Sequence, residues 1–109
     1  MGCKIIFAPQ AIADLEEAVR HIARHEPETA LRIGNALIDR VAILENFPFL
    51  GSPYPKRPGV RKLASPPYII FYRAKPEQGR VEILRYWHGA RAEPELAEEP
   101  AKIGVRRQR

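Results

Sequence analysis

Between residues 47 and 59 the chain reads FPFLGSPYPKRPG, which sets Pro48, Pro53, Pro55 and Pro58 among Gly51 and Gly59. Proline has no amide donor and fixes φ, and glycine weakens any regular element, so this stretch is expected to be a stiff loop. It divides the sequence into two halves with different apolar periods. Upstream, Ile12, Leu15, Val19 and Ile22 recur at spacings of three and four, which predicts a helix over residues 10–25. Ala30, Ile33, Leu37, Val41 and Leu44 do the same for a second helix over residues 27–46. Proline is tolerated in a first helical turn, so Glu26-Pro27 closes one helix and opens the next, giving a helical hairpin with almost no connection. A short β-branched run, Lys4 to Phe7, precedes it and reads as a first strand ended by Pro9.

Downstream of the loop the pattern is that of strands, over residues 60–64, 68–74 and 81–88. The last two are separated by Lys75-Pro76-Glu77-Gln78-Gly79, a five-residue connection with a terminal glycine that suits an antiparallel hairpin. Runs such as Ile69-Ile70-Phe71 imply strands inside a sheet rather than at its rim. The expected fold is therefore α+β, in the order β-α-α-β-β-β: a small, mainly antiparallel sheet with the helical hairpin packed on one face. Its length of 109 residues suits one hydrophobic core, placed here in residues 1–91. Residues 92–109, with Pro94, Pro100 and Gly104, are expected to form a tail with at most a short helix.

An apolar fraction of 45 % and a charged fraction of 28 % describe a globular domain, and no apolar stretch approaches the ~18 residues that span a bilayer. With an acidic turn so soon after the start, the expectation is a cytoplasmic protein with no membrane partner. The single cysteine, Cys3, reads as a small core residue. The net charge of +5 is unevenly spread. Residues 1–55 hold five Lys/Arg against seven Asp/Glu, whereas residues 56–91 hold nine against two, a local excess of seven positive charges. Such a field draws acidic or polyanionic partners.

His21 and His25 are the one histidine pair at helical spacing, but no third ligand accompanies them, so they read as solvated and no metal is expected. The sequence has no G-x-S-x-G, no phosphate-binding glycine loop and no Cys-x-x-Cys, and no cofactor is expected. What remains is the segment EILRYWHGAR at residues 82–91. Strand alternation would point Ile83, Arg85 and Trp87 one way and Leu84, Tyr86 and His88 the other, with Arg91 just past the end. Arginine supplies fixed donors to phosphate, and imidazole moves protons near neutral pH, so a metal-independent RNA-cleaving site could be assembled from these groups. Alternatively Arg85 lies along the sheet edge, His88 bonds a neighbouring backbone and Trp87 simply packs.

Taken together, residues 4–91 resemble the RelE/ParE superfamily of toxins from bacterial type II toxin-antitoxin modules. The resemblance is carried by LENFPFLG at residues 44–51, by PYIIFYR at 67–73, and by Ile83-Leu84-Arg85 leading into His88-Gly89-Ala90-Arg91. It implies a cognate antitoxin that wraps the toxin, and one of two targets. RelE-like members cleave mRNA on the ribosome, which would assign catalysis to Lys62, Arg85, His88 and Arg91. ParE-like members bind and block DNA gyrase. Ile69 stands where the nucleases often carry arginine, and no tyrosine follows Arg91, so the resemblance is closer to the ParE-like branch. On that branch Arg61, Lys62, Arg73, Arg85, Trp87, His88 and Arg91 are the expected contacts to target or antitoxin. A third possibility is a basic binding module without toxicity.

Overall fold

The structure, a computed structural model, describes residues 2–92 and residue 96. Its strands are β1 (Lys4–Phe7), β2 (Ser52–Pro53), β3 (Arg61–Ser65), β4 (Tyr68–Lys75) and β5 (Arg80–His88). Two helices, α1 (Pro9–Ala23) and α2 (Pro27–Ala42), lie between β1 and β2. The strands form one sheet in the order β1-β5-β4-β3-β2, with β1 parallel to β5 and every other pair antiparallel. The α+β architecture and the β-α-α-β-β-β order are as the sequence predicts. Nearly all of the predicted tail lies outside the described residues.

Pro9 and Pro27 sit at the starts of the two helices, where a missing N–H costs nothing. In α2 the expected stripe is the buried one: Ala30, Leu37 and Val41 are in the core, and Leu44 follows in a 3₁₀ turn over Ile43–Glu45. The α-helix thus ends four residues before the predicted limit of Asn46. In α1 the stripe is rotated: Ala11 is fully buried, Leu15 packs against the same core, and Ile12 is 45 % exposed. Gly34 in α2 brings the hairpin close, for a Cβ there would lie 3.0 Å from a methyl of Val19 in α1.

The sheet has a different core on each face. Toward the helices, Leu63, Ile70, Tyr72, Val81, Ile83 and Tyr86 join Ala11, Leu37, Val41 and Leu44. On the opposite, helix-free face, Phe71 packs with Tyr54 from the proline-rich segment, with Val60 just after it and with Leu96, flanked by Ile69, Leu84 and Trp87. That segment departs from the expectation of pure loop, since Ser52 and Pro53 pair with Lys62 and Arg61 as a two-residue edge strand. Proline is admissible there because an edge strand need not donate on its outer side. Gly51 lets the segment approach: a Cβ on it would fall 2.3 Å from the Lys62 carbonyl oxygen. The Gly51 amide donates to the buried Tyr72 hydroxyl at 2.9 Å, so the close approach also satisfies a phenol in the core.

Strand β5 corrects one sequence expectation. Phe71 of β4 pairs with Arg85, but the next residue, Tyr72, pairs with Ile83, which leaves Leu84 as the extra residue of a β-bulge. The bulge shifts the alternation by one. Ile83 and Tyr86, expected on opposite faces, both enter the helix-side core, while Leu84 and Trp87 pack on the helix-free face.

Candidate functional site

The bulge falls where β5 loses its neighbour. Strand β1 pairs with β5 only as far as Ile83, and the Ala8 amide makes the last bond to the Ile83 carbonyl at 2.9 Å. Beyond it α1 turns away, and its Asp14 takes over the open edge. One carboxylate oxygen of Asp14 accepts from the Tyr86 backbone amide at 3.1 Å and from Arg85 Nε at 2.6 Å, and the other accepts from Arg85 Nη2 at 2.9 Å. The side chains of Arg85 and Asp14 are only 17 % and 13 % exposed. A bidentate, charge-assisted pair so little hydrated fixes the arginine rather than leaving it free to move.

Trp87 gathers what lies beyond. The guanidinium carbons of Arg85 and Arg91 lie 4.9 and 4.6 Å from its ring centroid, within cation–π range. Its indole N–H donates to the Ala92 carbonyl at 2.7 Å, holding the backbone just past the turn against the end of the strand. His88 closes the turn: its Nδ1 accepts from the Ala90 amide at 3.1 Å, its carbonyl accepts from the Arg91 amide, and its ring meets Tyr68 edge-on at 5.4 Å. Burial raises the Tyr68 phenol above its ordinary pKa, and raises that of Tyr86 much further. The Tyr86 hydroxyl donates to the Leu37 carbonyl at 3.1 Å. Between α1 and this end of β5 lies a cleft of about 480 Å³, lined on the strand side by Tyr68, Arg85, His88 and Arg91 and on the helix side by Gln10, Asp14, Glu17 and His21.

The remaining cations among the predicted contacts lie elsewhere. Arg61 is spent on the proline-rich segment, donating to the carbonyls of Gly51 at 3.0 Å and Phe49 at 3.2 Å and covering the Phe49 ring. Lys62 sits over Tyr54, 5.6 Å from the ring centroid. Arg73 pairs across strands with Glu82, with its guanidinium near Gly59. Directly paired residues share a face, so Lys62, Phe71 and Arg85 form one row across the helix-free face, with Lys62 and Arg85 two strand spacings or about 10 Å apart. His88 pairs with Tyr68, whose ring belongs to the helix-side core, and so lies on the other face. The structure therefore brings Arg85, Trp87, His88 and Arg91 together at one end of β5 and leaves Arg61, Lys62 and Arg73 on the neighbouring strands.

Asp14 had no local signal in the sequence, since it is 71 residues from Arg85. The role of Leu96 on the helix-free face was equally hidden. Among the described residues no three His, Cys, Asp or Glu side chains are grouped to hold a metal ion, and no helix is long and apolar enough to cross a membrane.

Comparison with known proteins is consistent with this geometry. Residues 5–93 match the family model for the ParE toxin of the type II toxin-antitoxin system parDE. Among solved structures, a chain of the chromosomal ParDE toxin-antitoxin system from P. aeruginosa is similar, with a TM-score of 0.69 and 27 % identity over 79 % of this chain and 95 % of that one. A chain of the RelBE2 toxin-antitoxin complex from Mycobacterium tuberculosis is similar with a TM-score of 0.62 and 25 % identity, over 81 % of this chain and 99 % of that one. No curated protein sequence matches significantly.

Proposed function

The chain belongs to the ParE toxin family of type II toxin-antitoxin systems, and from that premise we propose that it arrests growth in the cytoplasm by binding DNA gyrase, and that a cognate antitoxin silences it. One observation supports binding over hydrolysis. Proton transfer and phosphate clamping must converge on a single phosphodiester, yet His88 and Lys62 lie on opposite faces of the sheet. Arg85, the third expected catalytic group, is held in a bidentate pair with Asp14. A rigid, partly apolar surface with fixed cations is suited to docking on a protein. The experiment is gyrase supercoiling in the presence of the purified chain: inhibition that the antitoxin reverses is expected, and full supercoiling at saturating toxin sinks the reading.

A second reading, ribosome-dependent mRNA cleavage, is favoured by the cleft in which Arg85, His88 and Arg91 do meet, beside Tyr68. Mapping transcript ends after induction separates the two. New ends within coding sequences support cleavage, and unchanged transcripts under growth arrest leave gyrase. The antitoxin reading draws on the relatives, both of which are components of toxin-antitoxin pairs.

A further inference from the structure

The helix-free face is already occupied. After β5 the chain turns at His88 and passes Ala92 under the indole N–H of Trp87, and at Leu96 it is again on the sheet. Leu96 is 9 % exposed and packs with Tyr54, Val60 and Phe71. Its carbonyl accepts from Arg57 Nη1 at 2.7 Å, so one aliphatic side chain and one backbone oxygen are held at once. Phe71 beneath it is the middle of the Lys62-Phe71-Arg85 row. Leu96 therefore sits among the cations that the sequence assigns to partner contact.

We propose that Leu96 is an intramolecular plug, seated between Tyr54, Val60 and Phe71 and latched by Arg57, which must leave before a partner docks on the helix-free face. The proposal rests on reading that face as the surface that meets gyrase. Physically, the plug is a built-in competitor. A leucine on the chain itself is present at high effective concentration, and what Leu96 itself brings among the described residues is one side chain and one carbonyl. A partner that offers its own aliphatic group to the same pocket, with further contacts around it, displaces it. The apparent affinity of that partner is lowered by the fraction of molecules in which the plug is seated.

The test uses the full chain with Leu96→Ser, which empties the pocket, and Leu96→Met, which refills it with a side chain of similar volume. Trp87 is the only tryptophan and packs against the plugged cluster, so its emission reports seating directly. Acrylamide should quench Trp87 more strongly, and its emission should shift to the red, in Leu96→Ser but not in Leu96→Met. Gyrase should bind Leu96→Ser about tenfold more tightly than the parent chain. Unchanged Trp87 quenching in Leu96→Ser, with far-UV circular dichroism showing a folded chain, overturns the plug. Weaker gyrase binding by Leu96→Ser also overturns it, because Leu96 would then belong to the contact surface. If neither chain binds gyrase, the target reading fails separately, and Trp87 alone decides whether the plug stands.

Discussion

Asp14 settles the open edge of β5 with two oxygens: it replaces the missing strand neighbour for the Tyr86 amide and pairs with Arg85 at both guanidinium nitrogens within reach. Both side chains are mostly buried, so truncating one strands the charge of the other and a backbone donor with it. Asp14→Ala should lower stability by about 3 kcal/mol, read as a shift in the urea midpoint at unchanged slope. Replacing both partners by apolar groups of similar size, Asp14→Leu with Arg85→Met, should restore most of that loss. A double variant as unstable as Asp14→Ala would show that the pair has little part in it. This part of the site was not legible in the sequence. The motif around Arg85 and His88 marked where to look, but the carboxylate that fixes Arg85 comes from a helix 71 residues earlier, and no spacing rule reaches that far.

The helical hairpin was legible because a helix repeats its buried stripe several times, and a single exposed member such as Ile12 does not erase it. The two-residue β2 and the bulge at Leu84 were not. Two residues contain no period, and a bulge is a break in one, set by how β4 and β5 must twist past each other. It follows that face assignments along β5 are reliable from sequence only up to Ile83. The hairpin makes its own prediction through Gly34. The absent Cβ lets Val19 come close, and Val19 is β-branched, with few rotamers to yield into. Gly34→Leu should force α1 away from α2 and cost about 2 kcal/mol, measured by thermal or urea unfolding. A neutral result would mean the helices slide apart freely, and the hairpin would then be a softer element than its core suggests.

For the whole molecule, the two halves differ in charge as well as in structure. The excess of seven positive charges over residues 56–91 should make the on-rate with an acidic antitoxin fall steeply as salt rises from about 0.05 to 0.5 M, while the off-rate changes little. Stopped-flow mixing measures both, and a salt-independent on-rate would rule out steering. Alkaline stability turns on Tyr86. Its pKa is raised from 10.0 by burial, so the folded state keeps a proton that the unfolded chain gives up near pH 10. The stabilisation is complete below that pH and drains away as pH climbs above it. Tyr86→Phe should be about 1 kcal/mol less stable at neutral pH, having lost the bond to the Leu37 carbonyl, and should lose less stability between pH 9 and about 11 than the parent chain. Parallel alkaline melting curves for the two would remove Tyr86 from that account. A last consequence comes from the seam between β1 and β5. Among the described strands the first in chain order finds its neighbour in the last, Lys4 opposite Arg80, so β1 joins the sheet only across the helices and every other strand between them. The contact that closes the sheet is therefore also among its longest in sequence, and a slow one for a folding chain to find.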